Sequence, residues 1–369
     1  MSEIVDPSQE SAVRVRYAKA AQAREQALCC PVDYDPRYLA AIPSEVIERD
    51  YGCGDPSRYL NPGETVLDLG SGTGKICFIA SQVVGPEGRV IGVDMTDDML
   101  EVARRSAPIV AETIGFSNVS FRKGRIQDLK LDLEVLEKTL AETPVSDANG
   151  YLDLEEQIER LRSEQPMIED ESIDAIVSNC VLNLVDADKK RLMFSELFRV
   201  LKVGGRAIIS DIVSDQSVTE EMKQDPELWS GCLSGAMTES EFLEAFEQAG
   251  FYGIRFRKFD AQPWRTIEGV VFRSVTVEAF KGIQGDEGEG YVDAIYQGPF
   301  ASVADESGRI WERGVRSSIS GAEYERLKEE PYGACFAFLR SDGENALSKV
   351  EFKAVSPAAS PCGSGDSCC

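Results

Sequence analysis

Ten cysteines, at positions 29, 30, 53, 77, 180, 232, 335, 362, 368 and 369, and not one histidine mark this 369-residue chain. Without imidazole there is no Ser-His or Cys-His nucleophile pair, and most catalytic zinc sites are excluded. Thiols in that number point to soft-ligand chemistry. Three of them occupy loops where a sulfur can react. Cys53 lies between Gly52 and Gly54, Cys180 follows an apolar run ending in Asn179, and Cys232 lies in the small-residue loop Gly231-Cys232-Leu233-Ser234-Gly235. None of the three has a second cysteine two to four residues away, the usual spacing of structural zinc sites. Cys77 and Cys335 stand in apolar runs, Ile76-Cys77-Phe78 and Ala334-Cys335-Phe336, and are expected to be small core residues.

The segment Thr65-Val66-Leu67-Asp68-Leu69-Gly70-Ser71-Gly72-Thr73-Gly74 carries a second signal, an apolar strand running straight into a glycine loop. Glycine allows positive φ and lets a ligand come close to the backbone. A phosphate-binding loop needs four residues between its first glycine and the Gly-Lys pair, then Ser or Thr. Here three residues separate Gly70 from Gly74-Lys75, and Ile76 follows. A dinucleotide loop built on Gly70 and Gly72 needs glycine at 75, which is Lys. The remaining pattern, Asp68-x-Gly70-Ser71-Gly72-x-Gly74, resembles the first motif of S-adenosylmethionine-dependent methyltransferases. Asp94, 20 residues past Gly74 at the next strand end, is placed to hold both ribose hydroxyls. The resemblance implies that Met95 lies on the adenine face, Ile126 and Gln127 flank the adenine, and Asn179 approaches the cofactor's amino-acid tail.

Three separated thiolates suit a soft ion with its own lone pair, such as As(III), better than zinc. Tyr51-Gly52-Cys53-Gly54, Ser178-Asn179-Cys180-Val181-Leu182-Asn183-Leu184, Cys232-Leu233-Ser234-Gly235-Ala236 and the strand-like segment 271–280 together resemble arsenite S-adenosylmethionine methyltransferases. The likeness covers most of residues 13–280. It implies methyl transfer from S-adenosylmethionine to thiol-bound trivalent arsenic, with arsenite and methylated As(III) as substrates, in arsenic detoxification. It also implies that Cys53, Cys180 and Cys232 bind arsenic, that Cys29 or Cys30 joins a redox cycle, and that Tyr17 lies near the reacting methyl. Methyl transfer formally oxidises arsenic by two electrons, which a cysteine pair can return by forming a disulfide. Thioredoxin or glutathione would then restore the thiols. The chain departs from that family in Gly231 before the third cysteine, in a longer acidic insertion and in a shorter C-terminal part. The alternative is a small-molecule C- or O-methyltransferase of the sterol or quinone type, which shares the cofactor half but has no need of three thiols.

These residues must be positioned by an α/β framework. Apolar runs at 65–69, 89–93, 119–122, 174–179 and 207–211 read as strands, alternating with helical patterns at 75–84, 97–114 and 189–201. Continuous apolar strands alternating with helices predict a parallel, Rossmann-like sheet of the class I methyltransferase type, covered on both faces. Gly204-Gly205 is expected to end the third helix, Thr238-x-x-Glu241 to cap a helix stopped by Gly250, and segments 253–259 and 269–280 to finish the sheet antiparallel. The expected organisation is an N-terminal helical cap (1–60, with an alanine-rich helix over 17–28), a methyltransferase domain (61–283), a small α+β domain (291–355) and a disordered Cys-rich tail (356–369). An insertion at 131–171, with 13 acidic and 3 basic residues, reads as a surface helical hairpin. A net charge of −25 and a pI near 4.5 argue against nucleic-acid or membrane partners. A polar N-terminus and the absence of a long apolar stretch lead to the expectation of a cytoplasmic protein.

Overall fold

The computed structural model describes residues 9–22, 25, 32–49, 51–282 and 292–340. It divides into two compact units, one running to Gln284 and the other from Gly285.

The first unit opens with α1 (Gln9–Ala20), α2 (Pro36–Leu39) and α3 (Ser44–Glu48), then enters the alternation β1 (Thr65–Leu69), α4 (Lys75–Val84), β2 (Arg89–Asp94), α5 (Asp97–Ile114) and β3 (Val119–Lys123). After α6 (Leu133–Glu142) and α7 (Ala148–Glu164) it resumes with β4 (Ile173–Asn179), α8 (Ala187–Val200) and β5 (Leu201–Ser214). The short α9 (Glu220–Lys223) and α10 (Pro226–Ser230) precede α11 (Glu239–Gln248), β6 (Phe251–Phe259), β7 (Arg265–Ile267) and β8 (Val270–Lys281). The sheet order is β3-β2-β1-β4-β5-β8-β6, with β7 beside β8. β1 to β5 pair in parallel, whereas β8 pairs antiparallel with β5 and β6 pairs antiparallel with β8, as the sequence leads one to expect.

Both faces of the sheet are covered. Leu67 and Leu69 of β1 point into a core shared with Met193, Phe194 and Leu197 of α8 and Phe242 and Phe246 of α11. Val66, the residue before them, belongs to the opposite core with Ile76, Phe78 and Ile79 of α4 and Leu100 and Val102 of α5. Each such side chain contributes roughly 1.5–3 kcal/mol when fully buried. This two-sided burial explains why the strands read as unbroken apolar runs. It also leaves the carboxyl ends of β1, β2 and β4 open along one edge, where ligands bind in such sheets.

Three expectations need correction. The first helix spans Gln9–Ala20 and gives way to a turn at residues 21–22, instead of running on from 17 toward 28, and it is Tyr17 and Ala20 that pack with Tyr51 and Met99. Gly204-Gly205 do not end α8, which stops at Val200. They form a bulge inside β5, where pairing jumps from Ile173↔Leu201 to Ala175↔Arg206 and Gly204 takes φ +81°. Cys335 is only half-buried, in a short turn at Gly333–Cys335, whereas Cys77 is fully buried as expected.

Both insertion helices form, and neither fully buries a residue. Ion pairs tie each to the domain: Lys123 with Glu137 and Arg104 with Glu134 for α6, and Arg162 with Asp128 for α7. Among the described residues no helix is long and apolar enough to cross a membrane. The second unit has its own small core around Trp311, Tyr296 and Phe336. It comprises β9 (Val292–Tyr296), β10 (Ser302–Ala304), β11 (Ile310–Glu312), β12 (Arg316–Ile319), α12 (Gly321–Leu327) and β13 (Phe336–Arg340).

Candidate active site

The glycine loop is held in shape by its neighbours before any ligand arrives. The N–H groups of Gly70 and Ser71 donate to the Val93 carbonyl at 2.8 and 3.0 Å, fixing the loop to the end of β2. Gly72 N–H donates to Asp94 Oδ2 at 2.9 Å and Thr96 N–H to Oδ1 at 2.8 Å. Gly70 has φ +69°, and a Cβ there would stand 2.4 Å from Val181. Gly74, at φ +92°, caps α4 with the ring of Phe121 against it. Gly72 faces open space.

A cleft of about 960 Å³, counting its open mouth, lies along this edge. Every residue expected to bind the cofactor lines it except Gly74, whose part is to shape the turn. Tyr17 and Cys180 line it too. The buried Ser71 hydroxyl has no hydrogen-bond partner among the described residues. An unsatisfied hydroxyl beside an open glycine fits a polar small molecule seated on the loop. Asp94 is half-buried in the cleft floor; burial raises its carboxyl above the ordinary range, against the N–H groups that favour its ionised form.

The thiols occupy a second, adjoining region. Cys53, Cys180 and Cys232 are all buried and belong to one apolar cluster with Ile212, Met222 and Phe272. Cys180 belongs to both regions, whereas Cys53 and Cys232 do not line the cleft. Cys232 Sγ donates to the Cys180 carbonyl at 2.9 Å. Among the described residues no three thiol or carboxylate groups are converged as a metal site. The thiols are gathered but not closed around a point. Cys180 and Cys232 both hold left-handed backbone, each at φ +63°. Such strain costs of order 1–3 kcal/mol per residue and clusters at functional sites.

Tyr17 brings α1 over both regions. Its hydroxyl stands 3.9 Å from Cys232 Sγ, and burial, then the neighbouring Cys232 and Cys180, keep the phenol well above its ordinary pKa. The helix is anchored by Glu10 on Arg125 and by Arg16 on the Ser230 hydroxyl and the Glu227 carbonyl, in the segment leading to Cys232. Cys29, Cys30 and the tail thiols lie outside the described residues. Sequence reasoning missed Val13 and Met99 in the cleft wall and gave Asn183 no task. For Val13 the signal was its helical spacing from Tyr17; for Asn183 it was its place in the motif around Cys180.

The fold and this edge define an S-adenosylmethionine-dependent methyltransferase of class I. Residues 60–250 match the family described as a methyltransferase domain, and residues 284–361 match a domain of unknown function. The chain is 34% identical over 331 residues to the arsenite methyltransferase of Aquipseudomonas alcaligenes, covering 84% of each chain. It is 34% identical to that of Halobacterium salinarum, covering 69% of this chain and 56% of the relative. Among solved structures, an arsenic(III) S-adenosylmethionine methyltransferase from Chlamydomonas reinhardtii superposes with a TM-score of 0.55 at 26% identity, covering 87% of this chain and 98% of that one. The chain belongs to the arsenite methyltransferase family.

Proposed function

We propose that the protein methylates trivalent arsenic held by Cys53, Cys180 and Cys232, with S-adenosylmethionine seated in the cleft on Asp68, Gly70, Ser71, Gly72, Asp94, Met95, Ile126 and Gln127. The observation that carries this reading is that three cysteines far apart in sequence share one apolar cluster, and that one of them, Cys180, also lines the cleft. When bound, S-adenosylmethionine supplies an electrophilic methyl group. The chain's own work is mostly placement. Thiolates displace the hydroxyls of arsenite and leave the arsenic lone pair free, so no base is needed and the lack of histidine costs nothing. Tyr17, kept protonated, is a donor beside Cys232. The apolar wall around the sulfurs excludes water that would compete for arsenic.

Two cysteine thiols then return two electrons to pentavalent arsenic, forming one disulfide and regenerating the trivalent state. Cys29 or Cys30 is proposed for this step, paired with a more distant thiol such as Cys53 because adjacent cysteines cannot close on each other without distorting their peptide; thioredoxin or glutathione, acting in the cytoplasm, is proposed for reducing the disulfide. Residues 1–60 thus act as a cap that carries redox thiols, and 61–283 as the catalytic domain. Incubation with arsenite, S-adenosylmethionine and a thiol, followed by speciation of arsenic on a column coupled to elemental detection, should give methylated arsenicals. Recovery of arsenite alone would refute the reading.

A further inference from the structure

Asn179 and Asn183 flank the Cys180 turn, and each spends its side-chain amide on the backbone of another thiol loop. Asn179 Oδ1 accepts the N–H groups of Cys53 and Gly54 at 2.8 and 3.0 Å. Its Nδ2 donates to the Gly54 carbonyl at 2.7 Å and to the Tyr34 hydroxyl at 3.2 Å. An amide offers two donors and two acceptor lone pairs. The protein fills all four, which leaves none for a cofactor's amino-acid tail. Gly52 is pressed against the same amide, where a Cβ would stand 2.0 Å from Nδ2.

Asn183, 1% exposed, makes the matching connection on the other side. Its Nδ2 donates to the Ile212 carbonyl at 2.6 Å and to the Cys232 carbonyl at 3.3 Å. Gly235, three residues past Cys232, backs onto the Asn183 carbonyl so closely that a Cβ would lie 1.9 Å from that oxygen. Cys180 is itself fixed by its N–H, which donates to the Ser210 carbonyl at 2.8 Å.

We propose that Asn179 and Asn183 are positioning residues that lock the Cys53 and Cys232 loops onto the Cys180 turn, so that the Asn-Cys-x-x-Asn segment sets the mutual placement of the three thiols. The physical need is plain. Cys53 and Cys232 lie on opposite sides of Cys180 in the chain, more than fifty residues away from it in each case. Thiols on three separate loops keep a fixed separation only if something rigid joins the loops. Buried amide-to-backbone bonds at a strand end do that, because breaking one leaves a buried polar group unpaired. Their relevance to arsenic rests on the proposed function above, but the clamp itself does not.

The test is native-state alkylation by iodoacetamide, mapped by peptide, in Asn179→Ala, Asn179→Asp and Asn183→Ala. Asn179→Asp keeps an acceptor for both N–H groups and so guards against simple misfolding. Local opening controls reagent access to buried thiols, so Asn179→Ala should speed modification of Cys53 at least about tenfold while leaving Cys232 near wild type, and Asn179→Asp, which keeps the acceptor and loses only the amide donors, should speed it less. Asn183→Ala should do the reverse of Asn179→Ala. Calorimetric affinity for S-adenosylhomocysteine is measured alongside, because Asn179 also lines the cleft. A uniform rise in reactivity at both thiols, no rise at either, or loss of cofactor affinity without a change in Cys53 reactivity would each overturn the clamp. Arsenite binding by calorimetry completes the set. If the wild type binds no arsenite but the selective alkylation pattern holds, the clamp stands and the arsenic reading falls.

Discussion

Cys180 concentrates the demands of the site in one residue. It lines the cofactor cleft, belongs to the thiol cluster and holds left-handed backbone that costs a non-glycine residue about 1–2 kcal/mol. Cys180→Gly relieves that strain and loses the burial of one small side chain, two effects of similar size and opposite sign. Its melting temperature should therefore move little, while arsenic methylation stops; a large stability change would mean that the turn is not strained. Asp94 gives a second residue-scale prediction. Both its oxygens are paired, to Gly72 and Thr96 N–H groups, and Asp94→Ala removes a charge-assisted acceptor. Cofactor affinity measured by calorimetry should fall about ten- to a hundredfold, from roughly 1.5–3 kcal/mol per such bond. The pH profile follows from its raised pKa. On the proposed reading the ionised form is the one that would accept ribose hydroxyls, so affinity should decline as pH falls through that raised value, earlier than for an exposed carboxylate. In Asp94→Asn the acid-side decline should vanish.

Among the elements, α8 is tied to the loop that carries Cys232 through Lys190, whose buried ammonium donates to the Gly235 carbonyl. Burial pulls this lysine down to about 8, although Asp211, Glu241 and Cys232 favour its charged form. In the unfolded chain its pKa is near 10.4. Between these values the unfolded state binds more protons, so this group makes the fold more stable as pH rises from about 8 toward 10. Denaturant melts at pH 7, 8.5 and 10 should show that component in wild type and lose it in Lys190→Met. An identical pH slope in both proteins would place Lys190 outside the buried network. The elements themselves were largely legible. The glycine loop, the alternation of strands and helices and the helices at 75–84 and 97–114 follow from local pattern, because two-faced burial and turn chemistry leave marks within a few residues. The start of α1 and the bulge at Gly204-Gly205 were not, since each is decided by partners distant in sequence, Tyr51 and Met99 for the one and the register against β4 for the other. The same reason hid the use of the Asn179 amide, whose partners at Cys53 and Gly54 lie more than a hundred residues upstream.

At the scale of the whole molecule, the chain divides near Gln284 into two compact units. The cleft, the thiol cluster, Tyr17 and the Asn179–Asn183 pair all lie in the first unit, which has two large cores of its own on the two faces of its sheet. The second unit closes a separate small core around Trp311 and Phe336, and none of the residues of the cleft or the thiol cluster comes from it. A core of that size in the first unit is enough for independent folding, because it exceeds what typical domains need. A chain ending at Gln284 should therefore fold cooperatively and bind S-adenosylhomocysteine with the affinity of the full chain. It should also keep methylation of arsenite at saturating concentration, with the tail thiols Cys362, Cys368 and Cys369 removed along with the second unit. Calorimetry and arsenic speciation on the truncated protein read the two outcomes separately. Retained cofactor binding with lost methylation would assign a chemical task to residues beyond 284, and loss of both would show that the first unit leans on the second for its stability.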